Sequence, residues 1–174
     1  MKRKPAIVVM GVAGCGKSTA GTEIARHLCV TFLEGDQLHP AANVEKMAAG
    51  VPLTDEDRYP WLEAIGAAIK SRVVRSEGVV AACSALKRAY RAILRERSGT
   101  GNELIFVYLS GSQELISERL KLRTGHFFPA SLLDSQFATL EPPQADERHV
   151  VADLRMPLEE MIAQVMRDIE AIDA

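Results

Sequence analysis

A glycine-rich segment near the start of the chain limits its possible folds more than any other feature. Residues 11–18 read G-V-A-G-C-G-K-S and fit the pattern G-x-x-x-x-G-K-[ST], between the apolar run Ala6–Met10 and a helix-like stretch. Glycines let a backbone curl until its N–H groups point at phosphate oxygens, and the positive end of the following helix adds to the attraction. The segment therefore predicts a phosphate-binding loop between a buried strand and a helix.

Within this loop the pattern gives separate roles to individual side chains. Lys17 is expected to bridge the β- and γ-phosphates of ATP, and the Ser18 hydroxyl is expected to ligate Mg²⁺. Cys15 lies near a helix N-terminus, which predicts a lowered thiol pKa and a reactive cysteine. A strand-to-helix turn without a ligand is the alternative. The candidate nucleotide-binding residues are Gly11, Val12, Ala13, Gly14, Cys15, Gly16, Lys17, Ser18 and Thr19.

Short apolar runs alternate with longer helix-like segments along the whole chain. With 174 residues, 47% of them hydrophobic, the chain is predicted to form a single domain over residues 1–174. Continuous apolar strands separated by helices are typical of an α/β fold in which a parallel sheet is covered on both faces. The predicted strands are residues 6–10, 31–33, 79–83, 104–109 and 149–152. The predicted helices are residues 17–29, 41–49, 61–75, 87–97, 113–123, 131–139 and 158–172.

Helix-start signals agree with this division. Thr54 and Asp57 have the spacing of a capping box, and Pro60 stands where a proline in the first helical turn would be. Ser112 precedes Gln113 as an N-cap residue would.

The charge balance and the cysteine pattern exclude several classes of protein. The formal net charge is −2, so the molecule as a whole has no field that would attract nucleic acid or anionic lipid. No stretch reaches the roughly 18 apolar residues of a transmembrane helix, and the basic N-terminus fits a buried strand better than a signal peptide. Three cysteines without a C-x-x-C pair indicate a reducing compartment. We therefore expect a cytoplasmic protein that binds neither nucleic acid nor membrane.

The third predicted strand separates the classes of P-loop protein. It runs into Ser84, where P-loop ATPases and GTPases place an aspartate that binds Mg²⁺. The chain also contains no Asn-Lys-x-Asp sequence for guanine recognition, and its length leaves little room for motor machinery. A compact kinase of the nucleoside-monophosphate-kinase type is the favoured class.

Two carboxylates and a histidine follow the second predicted strand. Glu34 and Asp36 alternate along an extended segment, so they point to one side, and parallel sheets bind ligands at the carboxyl ends of their strands. One carboxylate can accept the proton of an acceptor hydroxyl while the other supports the Mg²⁺ shell. The alternative is a solvated acidic turn, with His39 as an ordinary structural or exposed histidine.

Basic residues recur at three places beyond this turn. A guanidinium fork suits a carboxylate or a phosphate, and paired arginines on a hinged segment would neutralise a phosphoryl group in transfer. Solvated basic helix faces are the alternative at the second and third places. The three groups are Arg58, then Lys87 with Arg91, then Arg119 with Arg123 and His126.

In their order along the chain, these residues resemble those of the gluconokinases, small P-loop kinases that phosphorylate D-gluconate at its 6-hydroxyl. The resemblance spans nearly the whole chain and continues beyond the phosphate loop through further short motifs. These are E-G-D-x-x-H-P at residues 34–40, N-x-x-K-M-x-x-G-x-P-L-x-D-x-D-R at 43–58, P-W-L at 60–62, C-S-A-L-K-x-x-Y-R-x-x-L-R at 83–95, G-H-F-F at 125–128 and a longer motif over 132–147. Glu34 differs from the aspartate that many relatives carry.

The resemblance implies a three-layer P-loop NTPase fold with a five-stranded parallel sheet flanked by helices. Such a fold is similar to that of the nucleoside monophosphate kinases and would carry a mobile lid at about residues 119–143. The resemblance also implies ATP and Mg²⁺, gluconate as the substrate, 6-phosphogluconate as the product, and a homodimer. A kinase for a related aldonate or another small acid, and a non-catalytic nucleotide-binding regulator, stay open as alternatives.

Carried over residue by residue, the resemblance implies three sets of site residues besides the nucleotide-binding loop. The candidate catalytic residues are Lys17, Asp36, Arg119 and Arg123. The candidate substrate-binding residues are Asp36, His39, Arg58, Lys87, Arg91, His126 and Gln136. The candidate metal ligand is Ser18.

Overall fold

The computed structural model describes residues 3–123 and 128–174 of the chain, and these residues form a sheet flanked by helices. The strands are β1 (Ala6–Met10), β2 (Thr31–Glu34), β3 (Val79–Ala82), β4 (Ile105–Ser110) and β5 (His149–Asp153). The helices are α1 (Lys17–Leu28), α2 (Ala41–Ala48), α3 (Asp55–Val73), α4 (Arg88–Ser98), α5 (Gln113–Leu122), α6 (Ala130–Thr139) and α7 (Leu158–Asp173). Short 3₁₀ turns lie at Gly35–Leu38 and Gly101–Glu103.

Strand β1 lies at the centre of the sheet. The strand order is β2-β3-β1-β4-β5, and every neighbouring pair is parallel. Val8 of β1 is paired with Ala81 of β3 on one side and with Phe106 of β4 on the other, and all of β1 is buried. The continuous apolar run therefore forms a strand that is covered on both faces, as its pattern predicted.

The helices cover the sheet in two groups. Helix α1 packs against β1, β3 and α7, whereas α3 packs against β3 and α4. From β1 to β2 the chain moves across the sheet in one direction, and from β2 to β3 and β4 it moves in the other. Because crossovers between parallel strands are right-handed, the two groups lie on opposite faces and complete a three-layer α/β fold. Within the described residues, no helix combines the length and the apolar character that crossing a membrane requires.

The element boundaries agree with the sequence prediction except at helix α3. This helix begins at Asp55, whereas the sequence predicted a start at Trp61. Thr54 Oγ1 accepts the Asp57 N–H at 3.1 Å, and an Asp57 carboxylate oxygen accepts the Thr54 N–H at 2.9 Å, so the capping box itself starts the helix. Pro60 lies inside the helix and not in its first turn, which is why using it as the start marker placed the helix too late.

A buried ion pair fastens the segment before β5 to helix α4. The Arg91 and Glu147 side chains are 0% and 1% exposed, and Arg91 Nε donates to Glu147 Oε1 at 2.7 Å. Arg91 Nη2 donates to Oε2 of the same carboxylate at 3.0 Å, which makes the contact bidentate. Arg95 Nη2 and the Gln144 N–H each add a hydrogen bond to this carboxylate at 2.9 Å. The chain that returns from α6 is therefore held against the helix that follows β3.

The charge of Glu147 links this contact to pH. Burial alone would raise the pKa of Glu147, but hydrogen bonds from Arg91, the Gln144 N–H and Arg95 outweigh burial and lower the pKa to about 2. In the unfolded chain this carboxyl titrates near its ordinary value of 4.5. The unfolded state therefore binds the proton first as pH falls. The stabilisation is complete above about pH 5 and is lost between that pH and about 2.

We expect Glu147→Gln to lower the free energy of unfolding at pH 7 by roughly 3–5 kcal/mol, because it leaves the buried Arg91 charge without a counter-ion. The difference from the wild-type protein should shrink as pH falls towards 2, and urea denaturation over this pH range measures it. The matched control is Asp146→Asn, which breaks an exposed ion pair with Arg88 and should cost less than about 1 kcal/mol. Equal effects of the two substitutions would contradict the role given to the buried pair.

Candidate active site

A crevice of about 270 Å³ opens at the carboxyl edge of the sheet. Residues that follow β1, β2 and β3 all contribute to its surface, and this edge is where open α/β sheets bind ligands. Its polar residues are Lys17, Ser18, Asp36, His39, Arg58, Ser84, Arg123, Ser135 and Gln136. Its larger apolar residues are Met47, Pro52, Leu53, Trp61, Leu120, Phe128 and Leu132.

The loop after β1 has the backbone shape that phosphate binding requires. Gly14 and Gly16 have φ angles of +77° and +91°, in the left-handed region that favours glycine. A Cβ on Gly14 would also lie 2.4 Å from Leu120 Cδ2, so a larger residue would collide with that side chain. Helix α1 begins at Lys17, which leaves its first N–H groups free of intrahelical partners at the loop. Lys17 Nζ donates to the Val12 carbonyl oxygen at 2.9 Å.

Helix α6 contacts the phosphate loop directly. The Ala13 N–H donates to Gln136 Oε1 at 2.7 Å. Leu132 and Ser135 of the same helix also line the crevice. Helix α6 therefore forms one wall, and Gln136, predicted as a substrate ligand, lies against the loop that is predicted to hold the phosphates.

Two oxygen-bearing side chains lie side by side between the phosphate loop and β2. The Ser18 hydroxyl donates a hydrogen bond to Glu34 Oε2. Hydroxyl and carboxylate oxygens are hard donors of the kind that Mg²⁺ takes together with the phosphate oxygens of a nucleotide. The two residues therefore fit a Mg²⁺ ion that arrives with a nucleotide.

Asp36 lies in the short turn that follows β2, His39 comes directly after that turn, and both face the same crevice. The His39 ring stacks on Trp61, with ring centroids 4.0 Å apart and planes 13° apart. Trp61 Nε1 donates to the Gly35 carbonyl oxygen at 2.8 Å, which holds the indole under the turn. Burial lowers the pKa of His39, with Asp36 raising it and Arg58 lowering it by smaller amounts. The lowered pKa therefore favours the neutral imidazole at pH 7.

Arg58 places a buried cation at the crevice. It is 8% exposed, and its Nη1 donates to the Tyr90 hydroxyl at 2.9 Å. The Tyr90 hydroxyl donates in turn to Asp55 Oδ1, and Lys87 Nζ donates to the same oxygen at 3.0 Å. The hydrogen bonds from Tyr90 and Lys87 lower the pKa of Asp55. Among the described residues the direct hydrogen-bond partner of Arg58 is a neutral hydroxyl, so its charge can bind an anion in the crevice.

Three predicted cations are directed to other partners. The prediction for Arg91 as a substrate ligand is wrong, because its buried guanidinium donates its hydrogen bonds to Glu147 and to main-chain carbonyl oxygens. Lys87 is bound to Asp55 and does not belong to the crevice surface. Arg119 donates to the Leu154 carbonyl oxygen just after β5, whereas Arg123 lines the crevice.

Cys15 is not the reactive thiol that its position predicted. The residue is buried, and the burial raises its thiol pKa, while the charge of Lys17 lowers it by a smaller amount. The loss of hydration therefore raises the thiol pKa by more than the helix N-terminus and Lys17 lower it. Gly11 and Val12 are buried too, and Thr19 is exposed on α1. His126, predicted as a substrate ligand, lies outside the described residues.

Known proteins with similar sequences are small kinases. A family model described as shikimate kinase matches residues 13–170. The thermoresistant gluconokinase of Escherichia coli K12 is 47% identical over 94% of this chain and 92% of its own length. The gluconokinase of Gluconobacter oxydans is 45% identical over 96% of this chain and 92% of its own length. The chain belongs to the gluconokinase family.

Structural similarity agrees with this membership. The crystal structure of a gluconokinase from Sinorhizobium meliloti 1021 matches with a TM-score of 0.89 and 46% identity, covering 99% of this chain and 95% of the other. The predicted P-loop NTPase fold, with five parallel strands flanked by helices, is therefore confirmed. As a gluconokinase-family member, the chain is a phosphotransferase that acts on an alcohol group.

Some crevice residues were not identified from the sequence. Trp61 entered the prediction only within the P-W-L motif at residues 60–62, although a single tryptophan next to a helix start was a usable signal. Tyr90 and Asn43 support Arg58 and His39 from other helices, and their partners are distant in sequence. Leu120 looks like an ordinary core leucine at helical spacing, so nothing local connects it to the loop that it covers.

Proposed function

We propose that this chain transfers the γ-phosphoryl group of ATP to the 6-hydroxyl of D-gluconate, giving 6-phospho-D-gluconate and ADP. The observation that carries the proposal is the buried guanidinium of Arg58 in the same crevice as the phosphate loop and Asp36. A crevice with a phosphate-binding end, a carboxylate and a second anion-binding group fits an acceptor that has both a hydroxyl and a carboxylate. Gluconate has these two groups at opposite ends of its chain.

At the nucleotide end, the loop N–H groups and Lys17 would hold the β- and γ-phosphates of ATP. Ser18 and Glu34 would hold Mg²⁺ through their oxygen atoms, and the ion would neutralise phosphate charge when bound. Arg123 lines the same crevice and would stabilise the charge on the transferring group, with Arg119 and His126 joining it if the predicted lid closes. Lys17 in turn would exchange the Val12 carbonyl for phosphate oxygens.

At the acceptor end, Asp36 would orient the 6-hydroxyl and accept its proton. The hydroxyl oxygen forms a bond to the γ-phosphorus as the bond from that phosphorus to the bridging oxygen breaks, and ADP departs with the bridging oxygen. The proton passes from the hydroxyl to the Asp36 carboxylate and then to water. Arg58 would bind the gluconate carboxylate, and His39 and Gln136 would bind its hydroxyls, while Lys87 would act on the acceptor only through the Asp55–Tyr90 network.

The family resemblance also supports proposals that concern the protein beyond this crevice. We propose that it depends on Mg²⁺, forms a homodimer and works in the cytoplasm on a small-molecule substrate, without binding nucleic acid or membrane. The residues of the crevice recognise a carboxylate without fixing the length of the acceptor. A related aldonate or another small hydroxy acid is therefore the second candidate for the acceptor.

The substrate is tested by measuring ADP release from ATP and Mg²⁺ with gluconate, idonate, other aldonates, shikimate and AMP as acceptors. We expect gluconate to give the highest kcat/KM, and ³¹P and ¹³C NMR of the product should place the phosphate on C6. A preference for shikimate or AMP would replace the proposed substrate. ADP release that does not depend on any acceptor would favour the nucleotide-binding regulator.

We expect Asp36→Asn to lower kcat with gluconate by roughly 10²–10⁴-fold, because the amide cannot accept the hydroxyl proton. ATP affinity, measured by calorimetry, should stay close to that of the wild-type protein. The matched control is Glu45→Gln, which removes an exposed carboxylate on α2. Near-normal turnover by Asp36→Asn would remove Asp36 from the transfer step.

We expect Arg58→Met to raise the gluconate KM by roughly 10- to 100-fold, since a hydrogen bond to a charged group contributes about 1.5–3 kcal/mol. Arg58→Lys keeps the charge and loses the guanidinium fork, so its gluconate KM should lie between those of the wild-type protein and Arg58→Met. Because the charge is kept, this variant also shows whether the effect of Arg58→Met comes from misfolding. The ATP KM should change little in both variants. The control is Arg97→Met on α4, which breaks an exposed ion pair with Glu63 of α3. An unchanged gluconate KM in Arg58→Met would place the substrate carboxylate elsewhere.

A further inference from the structure

Asn43 is a buried polar residue that joins the turn after β2 to the start of helix α3. It lies on α2 and is 3% exposed. Its Nδ2 donates to the Asp57 carbonyl oxygen at 2.8 Å and lies 3.2 Å from His39 Nδ1. One amide nitrogen with two hydrogens therefore contacts both groups.

These two contacts determine where the His39 proton is. The Asp57 carbonyl oxygen can only accept, so the amide must present its nitrogen there, and this fixes its orientation. The same amide nitrogen can meet His39 Nδ1 only as a donor, so Nδ1 accepts its second hydrogen and carries no proton. In a neutral imidazole the proton is then on Nε2, which acts as a donor.

The position of the His39 ring is determined as well. Stacking on Trp61 sets its plane, and Trp61 is itself held by the Gly35 carbonyl oxygen. The charged groups of this region are Asp36 and Arg58, which line the crevice with His39, and the Lys46–Asp57 pair behind Asn43. The lowered pKa of His39 agrees with a neutral ring that has one fixed donor.

We propose that Asn43 is a positioning residue that holds His39 in its Nε2-protonated tautomer, so that this N–H donates to an acceptor oxygen of the sugar acid in the crevice. The hydrogen bond from His39 to the sugar acid rests on the proposed function, whereas the tautomer of His39 is a property of the protein without substrate. His39 therefore favours a substrate that places a hydrogen-bond-accepting oxygen next to Nε2. Asn43 determines this preference through the tautomer of His39, without contacting the substrate.

The tautomer is tested first, by ¹⁵N NMR of the ligand-free protein labelled at histidine. His39→Gln assigns the His39 signal among those of the four histidines. We expect the wild-type spectrum at pH 7.5 to show an unprotonated Nδ1 and a protonated Nε2 at His39. Asn43→Asp should reverse this pattern, because a carboxylate accepts a hydrogen bond from Nδ1. A protonated Nδ1 in the wild-type protein would overturn the proposal whatever the substrate is.

The link to the substrate is tested by a double-substitution cycle. Loss of one neutral hydrogen bond is worth about 0.5–1.5 kcal/mol, so Asn43→Ala should raise the gluconate KM by roughly 3- to 10-fold with kcat nearly unchanged. In the His39→Gln background the same substitution should change KM less than about twofold, because the residue through which Asn43 acts is gone. Asn102→Ala, in the exposed turn Gly101–Glu103, is the control for removing an asparagine side chain.

The outcomes separate the possible explanations. A merely structural Asn43 would lower stability and change KM equally in both backgrounds, which would overturn the positioning role. If Asn43→Ala folds poorly, Asn43→Asp gives the same comparison with the tautomer reversed. If the wild-type protein shows the expected tautomer but does not phosphorylate gluconate, the proposed substrate is wrong, and the cycle is repeated with the acceptor that the substrate panel identifies.

Discussion

The parallel pairing of β1 on both of its edges is the constraint on which the site depends. Because β3 and β4 hold β1 from end to end, the loop that follows Met10 leaves the sheet at a fixed point and in a fixed direction. The Gly11 N–H donates to the Ser84 carbonyl oxygen at 3.2 Å, which ties the start of the phosphate loop to the end of β3. Every other part of the crevice is positioned relative to this edge.

The acidic turn after β2 reaches the crevice through a close approach of two backbones. A Cβ on Gly35 would lie 2.1 Å from the Ala82 carbonyl oxygen, so only glycine lets the turn lie against β3. On either side of this glycine, Glu34 meets the Ser18 hydroxyl and Asp36 faces the crevice. The sequence E-G-D thus places one carboxylate beside Ser18 and the other at the crevice, and the glycine between them makes both placements possible.

The strands, the phosphate loop and the acidic turn could be predicted because their signals are local. A buried strand is a continuous apolar run, and a phosphate loop requires glycines at set positions, so a short stretch of residues carries the information. The pairing of charges is not local. Arg91 and Glu147 are 56 positions apart, and an arginine at helical spacing looks the same whether it faces solvent, a substrate or a buried carboxylate. The predicted pKa of Cys15 was wrong for a related reason. The sequence shows the helix N-terminus that lowers a thiol pKa, but it does not show the burial that raises the pKa by more.

These pairings explain how a chain with a net charge of −2 presents a positive crevice. Four cations on α4 or directly before it are held by carboxylates from other elements. The pairs are Lys87 with Asp55, Arg88 with Asp146, and Arg91 and Arg95 with Glu147. Lys17, Arg58 and Arg123 face the crevice instead. Because the paired cations contribute little field beyond their partners, an anion approaching this part of the molecule is attracted mainly to the crevice. By neutralising Arg91, the buried pair with Glu147 leaves the crevice as the main positive surface in this part of the molecule.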